Sequence, residues 1–455
     1  MKGVIDQHRD QLIADLISFL KYPSVSTDSK YREGVLSCAA FLKDEVCRIG
    51  FEHATLIETP GFPVLYADWC HAPGQPTVLF YGHYDVQPPD PLDLWHTPPF
   101  EPAIRDGQIV ARGVSDDKGQ VYCHLKAFEL LFAAKKALPV NVKLLIEGEE
   151  EVGSAHLGQV IRDHLDQLKA DVVIASDTPM FDRGRPSICY SLRGLVYGEL
   201  TVQTAATDLH SGQHGGAAPN AIQALIEIMS QLKLASGKVR IPGFYDAVVP
   251  VTPDVIRNLD RLGFDEEVYQ KELGSTALAG EMEYPALARR WLRPTLDVNG
   301  IWGGYMGEGA KTVIPAKAHA KFSMRLVANQ DPDQILKQAD AYIRELAPSY
   351  AQIQLKWYLP SGKPVQTDIH HPACQAAAAA IKDVWGVDAL YQGEGGSIPV
   401  IAEIKDSLGL DTVLLGFNLP NDKIHAPNEQ FSVENYLNGI QVALRFYERL
   451  GMTST

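Results

Sequence analysis

The sequence lacks the long apolar runs of membrane proteins, the closely paired cysteines of disulfide-rich proteins and the positive charge of nucleic-acid-binding proteins. No apolar run approaches the roughly 20 residues that cross a bilayer, and charged residues interrupt the N-terminal segment that a secretory signal would occupy. The six cysteines form no C-x-x-C pair, which favours reduced, buried thiols over a disulfide framework. The net charge of −15 offers no cationic face to a phosphate backbone. We therefore expect a cytoplasmic protein with neither nucleic-acid nor membrane partners.

The chain has 455 residues, which is long for one hydrophobic core, so we expect two domains. Helical and strand patterns alternate from residue 1 to 187 and again from 366 to 455, as in a mostly parallel sheet with helices on both faces. Between residues 188 and 365, strands that alternate apolar and polar residues predict an antiparallel sheet. The sequence thus predicts an α/β domain in two segments, 1–187 and 366–455, with an α+β domain inserted at 188–365.

The spacing of apolar residues predicts the individual elements. Predicted helices cover residues 12–20, 32–49, 120–136, 220–232, 332–346, 372–385 and 433–450. Predicted strands cover residues 77–81, 142–147, 171–176, 190–202, 318–327, 351–358 and 411–416. Residues 241–300 are rich in proline, glycine and charge, and their pattern favours no single element.

A histidine and several carboxylates follow the apolar runs of the first domain. His83 and Asp85 come after the strand at 77–81, and Glu150 and Glu151 come after the strand at 142–147. In an open α/β sheet, ligands bind beyond the carboxyl ends of the strands. Histidine and carboxylates gathered there are what a hydrolytic metal site requires. Taken singly, the same residues also suit a solvated H-x-D loop and a solvated acidic run.

Three further residues extend this pattern, namely Asp116 before a helix, Asp177 after a buried run, and His425 in a polar loop. Alone they are typical of a helix cap, a turn residue and a surface histidine. Jointly the set offers two imidazoles and at least three carboxylates. Three carboxylates and a bridging hydroxide would balance two dications, so the sequence predicts a two-metal site that acidifies a water molecule. Asp85, on the same face of the strand as His83, would orient that imidazole.

Eight short motifs lie at intervals along the chain: GHYDVQP (82–88), ARGVSDDKG (111–119), EGEEEVGS (147–154), ASD (175–177), DLHSG (208–212), GAKTVIP (309–315), GEGGSIP (393–399) and HAPNE (425–429). Together they resemble the co-catalytic zinc dipeptidase family, which includes carnosinases and cytosolic non-specific dipeptidases. Aminoacylases are more distant relatives. The resemblance covers nearly the whole chain.

The resemblance implies two divalent metal ions per subunit. One ion would be held by His83 and Asp177, the other by Glu151 and His425, and Asp116 would bridge them. Zinc is the expected metal, and manganese or cobalt also suits these donors.

The resemblance also assigns catalytic roles. Glu150 would be the general base for a metal-bridging hydroxide, with Asp85 in support. The additional acid Glu149 occupies a position that varies in the family, and the Gly153-Ser154 pair after it restores the register in favour of Glu150. His210 would polarise the scissile carbonyl in the active site of the other subunit of a homodimer. The inserted domain would then be a lid that also supplies the dimer interface.

Substrate-binding residues follow from the same resemblance. Arg325 interrupts an apolar strand, and an internal ion pair is the alternative to a role in binding the substrate carboxylate. The segment Gly395-Gly396-Ser397 opens a helix-like run whose backbone N–H groups suit a carboxylate. The implied substrate contacts are Arg325, Ser397, Gly396 and Thr312, and either His370 or His371.

The sequence therefore predicts a metallo-dipeptidase acting on small peptides with a free C-terminal carboxylate. An N-acyl-amino-acid amidohydrolase, or an exopeptidase on longer chains, would use the same metal chemistry. A catalytically idle regulatory or binding relative would have lost the base or a ligand, and this chain keeps them all. The preferred dipeptide, and the acceptance of β-amino-acid or D-residues, depend on pocket side chains that sequence does not place.

Overall fold

The computed structural model describes residues 2–452, which form two compact units. The first unit contains the chain up to Tyr190, residues 367–392 and the chain from Pro399 onward. The second contains residues 191–366 and 393–398. Within the described residues, no helix combines the length and the apolar character that crossing a membrane requires.

The helices and strands have the following bounds. The helices are α1 (Lys2–Leu20), α2 (Arg32–Ile49), α3 (Lys118–Lys135), α4 (Leu157–Asp163), α5 (Leu165–Leu168), α6 (Ser211–His214), α7 (Ala221–Leu232), α8 (Pro253–Asp260), α9 (Glu266–Glu272), α10 (Ala286–Trp291), α11 (Pro332–Leu346), α12 (Pro372–Trp385), α13 (Pro399–Leu408) and α14 (Val433–Met452). The strands are β1 (Glu52–Ile57), β2 (Val64–Trp69), β3 (Thr77–His83), β4 (Ala103–Arg105), β5 (Gln108–Val110), β6 (Asn141–Glu147), β7 (Val172–Ala175), β8 (Ser187–Leu192), β9 (Gly194–Gln203), β10 (Leu209–His210), β11 (Thr295–Gly303), β12 (Val313–Ile314), β13 (Lys317–Leu326), β14 (Gln352–Gly362), β15 (Val365–Gln366), β16 (Leu390–Glu394), β17 (Thr412–Leu414) and β18 (Gln430–Ser432).

The large sheet of the first unit has the strand order β1-β2-β6-β3-β7-β17-β8. The four central strands, β6, β3, β7 and β17, run parallel, whereas the flanking pairs are antiparallel. This confirms the predicted parallel core of the sheet. Because parallel neighbours end at the same edge, the residues that follow these four strands are brought together there.

Apolar helix faces cover this sheet. Helices α1, α2, α3, α12 and α14 pack together, and α4, α5 and α13 form a second group. The interior of the larger group is apolar and almost completely shielded from solvent, with Leu16, Leu125 and Ile440 fully buried. Burial of this apolar surface is the main stabilising contribution to the unit, and it fixes the strand ends that carry the polar residues.

The second unit has a four-stranded antiparallel sheet in the order β11-β13-β9-β14. Helices α7 and α11 contact each other and pack against this sheet, as the sequence predicts. The region 241–300, for which the sequence favoured no element, contains α8, α9, α10 and the start of β11.

One predicted strand is wrong. Residues 190–202 were expected to form a single strand, but the chain leaves strand geometry at Arg193 and divides into β8 and β9. The reason is a long-range contact, because the backbone N–H of Arg193 donates to the carbonyl of Gly396, 3.0 Å away. Gly194 then lies against the carbonyl of Gly362, where a Cβ would be only 2.5 Å from the oxygen.

Candidate metal centre

The predicted ligands lie at or after the ends of the central strands, at one edge of the sheet. His83 is the last residue of β3, and Asp177 follows β7 by two residues. Glu151 lies in the turn after β6, and His425 lies in the loop after β17. Asp116 precedes α3, and the peptide bond that joins it to Asp117 is cis.

The five predicted ligands form two groups that share one carboxylate. In the first, donor atoms of His83, Asp116 and Asp177 all lie within 4.8 Å of one another. In the second, the same holds for Asp116, Glu151 and His425. His83 Nε2 is 3.0 Å from Oδ1 of Asp116, whereas His425 Nε2 is 2.8 Å from Oδ2. The two oxygens of Asp116 therefore face different groups, as a bridging ligand requires.

This donor set fits two divalent cations. Two ligand atoms that are each about 2.0–2.2 Å from one zinc ion lie roughly 3–3.5 Å apart. The nitrogen–oxygen separations are of this size, including 3.3 Å between His425 Nε2 and Glu151 Oε2. Glu151 Oε1 is buried and has no hydrogen-bond partner among the described residues. Burial, together with the charge of Asp116, raises the pKa of Asp177 well above its usual range. Such a cluster of carboxylates gains stability when cations bind.

Asp85 organises the turn that carries Glu150 and Glu151. Its carboxylate accepts hydrogen bonds from the backbone N–H groups of Glu150 (3.2 Å) and Glu151 (3.1 Å), and from the hydroxyl of Ser26 (2.6 Å). His83 Nδ1 lies 3.1 Å from the carbonyl oxygen of Asp85 and 3.4 Å from its carboxylate. The carbonyl and the carboxylate of Asp85 thus both lie against His83. The carboxylate chiefly holds the turn with Glu150 and Glu151 close to the end of β3.

Glu150 and Glu149 have different environments. Burial raises the pKa of Glu150 to about 7, and the neighbouring carboxylates of Glu151 and Asp116 act in the same direction. A pKa near neutrality is what a general base needs. Glu149 instead accepts a hydrogen bond from His156, with 2.8 Å between Nδ1 and Oε2. The geometry therefore supports the register in which Glu150, and not Glu149, faces the ligand groups.

Glu429 is a site residue to which the sequence analysis gave no role. It is fully buried, and its carboxylate accepts hydrogen bonds from the backbone N–H groups of Gly113 (2.8 Å), Ser115 (2.8 Å) and Asp116 (3.1 Å). Arg112 Nη1 donates a fourth, at 2.7 Å. In the sequence, only its place in the HAPNE motif pointed to Glu429. The fold shows that this residue holds the segment that carries Asp116.

In the second unit, His210 lies on the short strand β10, opposite Val313 of β12. The imidazole is exposed, and its Nδ1 accepts a hydrogen bond of 3.0 Å from the backbone N–H of Gly212. The carbonyl of Thr312 accepts a hydrogen bond from the N–H of Ser211 at 3.1 Å. The structure therefore places His210 on β10 and Thr312 directly before β12, so these two residues, both predicted to act on the substrate, lie close together.

Arg325 and Ser397 also meet in the second unit, where Arg325 Nη1 donates to Ser397 Oγ at 3.0 Å. The helix expected to open at Gly395 begins only at Pro399. The N–H of Gly396 does hold a carboxylate, but it is the side chain of Glu394, whose Oε1 lies 3.2 Å away. A free helix N-terminus at this segment was therefore a wrong expectation, because the preceding glutamate occupies its donors.

The two adjacent histidines before α12 differ in their surroundings. His371 caps α12, since its Nδ1 accepts the backbone N–H of Ala373 at 3.2 Å. His370 is exposed, and its backbone N–H donates to Asp368. A role in substrate binding stays a prediction for either residue.

Several known proteins are similar to this chain in sequence and in fold. Residues 79–449 match the profile described as "Peptidase family M20/M25/M40". The Cys-Gly metallodipeptidase DUG1 of Candida albicans is 34% identical over 458 residues, which cover 96% of this chain and 93% of that protein. The crystal structure of human carnosine dipeptidase 1 has a TM-score of 0.80 at 28% identity and covers 99% of this chain and 98% of that one.

A third similarity is to a metallo-carboxypeptidase, Sso-CP2 from Sulfolobus solfataricus. Its crystal structure has a TM-score of 0.84 at 34% identity and covers 97% of this chain and 99% of that one. The family profile spans far more than half of the chain, and these similarities extend over almost all of it. The chain belongs to peptidase family M20/M25/M40.

Proposed function

We propose that this chain is a metal-dependent dipeptidase that hydrolyses dipeptides with a free C-terminal carboxylate. The observation that carries the proposal is the pair of ligand groups that share Asp116 at the end of the parallel strands. The similarity to a Cys-Gly metallodipeptidase and to human carnosine dipeptidase, over nearly the whole chain, supports dipeptides as the substrate class.

In this proposal His83, Asp116 and Asp177 hold one divalent cation, and Asp116, Glu151 and His425 hold the other. Zinc is the metal we expect, because mixed imidazole and carboxylate donors suit it, and manganese or cobalt would also fit. Two such cations supply Lewis acidity, which acidifies a water molecule and polarises the scissile carbonyl.

Glu150 performs the proton transfers. As a carboxylate it takes a proton from the attacking water, and as a carboxylic acid it returns that proton to the leaving amine nitrogen. Burial raises the pKa of this carboxyl group, so Glu150 is a stronger proton acceptor than an exposed glutamate. Asp85 keeps this residue in place through the backbone N–H of Glu150.

His210 stabilises the oxyanion that develops on the scissile carbonyl. Because Nδ1 of the ring accepts the N–H of Gly212, a neutral imidazole carries its proton on Nε2. Nε2–H is then a neutral hydrogen-bond donor, which is what an oxyanion needs. We propose that this donor serves the active site of a partner subunit, which makes the enzyme an obligate homodimer.

The homodimer has support in the sheet of the second unit. Strand β11 lies at the edge of that sheet, and its side chains Val298 and Ile301 are 50% and 53% exposed. An edge strand with exposed apolar side chains favours pairing with another chain.

In this proposal Arg325 and Ser397 bind the C-terminal carboxylate of the substrate, and Thr312 and Gly396 are further substrate contacts.

We also propose that the enzyme works in the cytoplasm. In support, all six cysteines are free thiols, and four of them are buried.

A carboxypeptidase acting on longer chains is the second candidate, since the metallo-carboxypeptidase from Sulfolobus solfataricus has 34% identity and a TM-score of 0.84. A substrate panel decides between the two. Metal-stripped enzyme is refilled with zinc or manganese and offered a dipeptide, its C-terminal amide, an N-acetyl amino acid and a tripeptide. Cleavage of the free dipeptide alone supports the proposal. Faster cleavage of the tripeptide favours the carboxypeptidase, and cleavage of only the acetylated compound would overturn both.

A further inference from the structure

Two half-buried arginines lie beside one serine in the second unit. Arg325 Nη1 donates to Ser397 Oγ, and the Ser397 hydroxyl in turn donates to the backbone carbonyl of Arg193. In the antiparallel register of β13 and β9, Arg325 is paired with Leu195. Arg193 lies two residues before Leu195, and it is close enough for the charge of Arg325 to act on it. Arg193 and Arg325 therefore belong to one cluster, although the sequence analysis singled out only Arg325.

The loop at residues 393–398 fixes the side chain of Arg193. Arg193 Nε donates to the carbonyl of Gly395 at 3.0 Å, and its backbone N–H donates to Gly396 at the same distance. A Cβ on Gly395 would lie only 3.0 Å from Arg193 Nη2, so a glycine here lets the loop lie directly on the guanidinium. Among the residues that the structure describes, neither Nη nitrogen of Arg193 has a hydrogen-bond acceptor.

The charge of this cluster is not balanced. Between residues 2 and 452, no carboxylate forms an ion pair with Arg193 or Arg325. Glu394 acts on both arginines from nearby, but its Oε1 accepts the N–H groups of Gly395 (2.6 Å) and Gly396 (3.2 Å). Burial lowers the pKa of Arg193 to about 10, and the positive charge of Arg325 acts in the same direction. Two like charges in a partly desolvated site are stabilised when an anion binds.

We propose that Arg193 is a second substrate-binding residue, which together with Arg325 holds the C-terminal carboxylate of the peptide. The two guanidinium groups and Glu394 leave one positive charge in excess, and one carboxylate neutralises it. Guanidinium groups are suited to this because their forked N–H donors match the two oxygens of a carboxylate. The inference rests on the proposed dipeptidase function and makes a free C-terminus a requirement, since an amide would leave both charges uncompensated.

The test measures kcat and KM of the metal-loaded homodimer for a dipeptide and for its C-terminal amide. Arg193→Met should raise KM for the free dipeptide about 10- to 100-fold, the range expected for a lost charged hydrogen bond. The value of kcat should stay within about twofold, because the interaction is the same in the ground and transition states. The preference for the free acid over the amide should fall by the same factor as KM rises.

Arg290→Met is the matched control. Arg290 lies near the cluster, but its guanidinium packs over the ring of Tyr269, 4.9 Å from the centroid, and so should not contribute. Its KM for the dipeptide should equal that of the wild type. Arg193→Lys, which keeps the charge but not the fork, should raise KM by an intermediate factor, and it decides the matter if Arg193→Met fails to fold.

The outcomes separate this inference from the proposed function. A wild-type enzyme that cleaves no peptide contradicts the dipeptidase assignment itself. An active wild type whose KM is unchanged in both Arg193 variants overturns only the role of Arg193. A loss confined to kcat, with the preference for the free acid intact, would assign Arg193 a structural role and also overturn the inference.

Discussion

The carboxylate of Glu429 accepts the backbone N–H of Asp116 at 3.1 Å, although the two residues are more than 300 positions apart in the sequence. The same side chain accepts the N–H groups of Gly113 and Ser115, and it lies four residues after His425. Glu429 thus joins the segment that carries the shared ligand to the loop that carries a ligand of the second group. Glu429 therefore helps to fix the position of Asp116 relative to His425.

Glu429→Gln should therefore weaken metal binding. A glutamine has one N–H₂ group where the glutamate has an accepting oxygen, so it faces backbone donors that it cannot satisfy. We expect a loss of about 10- to 100-fold in metal affinity, the range typical of residues that orient ligands. Metal content after dialysis against graded chelator measures it. Glu434→Gln, an exposed glutamate on α14, is the control, and equal metal retention by both variants would contradict the role of Glu429.

Glu150→Gln and Glu149→Gln should have opposite profiles. Removing the general base should lower kcat by about 10²- to 10⁴-fold while the metal content stays at two ions per subunit. Glu149→Gln loses its pairing with His156, so it should lower the melting temperature and change kcat little. Single-turnover rates and metal analysis of both variants test this. If Glu149→Gln were the one that abolished turnover, the assigned register of the acidic turn would be wrong.

Much of the fold follows from local patterns in the sequence. Helix α11 spans 332–346 and α12 spans 372–385, as predicted, because both begin with a proline and have a clear apolar face. The parallel core follows from strands alternating with helices. The grouping of the ligands also follows, since residues at the ends of parallel neighbours meet at one edge.

The error in strand 190–202 and the missed role of Glu429 both depend on contacts between distant segments. The break at Arg193 is made by Gly396, and the role of Glu429 is defined by N–H groups in the segment 113–116. Such contacts leave no periodicity in the sequence, so only the assembled structure reveals them.

A buried ion-pair network predicts how stability depends on pH. Lys126 is completely buried and donates to Asp15, Glu45 and Glu129 at 2.7–2.9 Å. Burial opposes the ionisation of Glu45, but hydrogen bonds from Arg48 and Lys126 outweigh it and lower its pKa from 4.5 to about 2. Since the folded state has the lower pKa, Glu45 contributes stability above pH 4.5. That contribution declines as the pH falls towards 2, and it amounts to about 3 kcal/mol when complete.

Glu45→Gln should consequently reduce the free energy of unfolding at pH 7 by about 2–3 kcal/mol, and by roughly half of that or less near pH 3. Denaturant unfolding of both proteins at the two pH values measures the difference. Glu33→Gln, an exposed glutamate on the same helix α2, should behave as the wild type at both. A Glu45 variant whose deficit is the same at pH 3 and pH 7 would mean that lost packing, not charge, is responsible.

The proposed contribution of His210 to a partner's site can be tested by complementation. His210→Ala and Glu150→Gln homodimers should each be nearly inactive, because every site lacks one residue. In a heterodimer of the two, one site combines an intact His210 with an intact Glu150. Random re-association of equal amounts should therefore restore about a quarter of the wild-type activity. If His210 serves its own subunit instead, each heterodimer site still lacks one residue, so mixing restores nothing. An Ile301→Glu substitution on the exposed edge of β11 should prevent the restoration by blocking association, which sedimentation would detect as monomers.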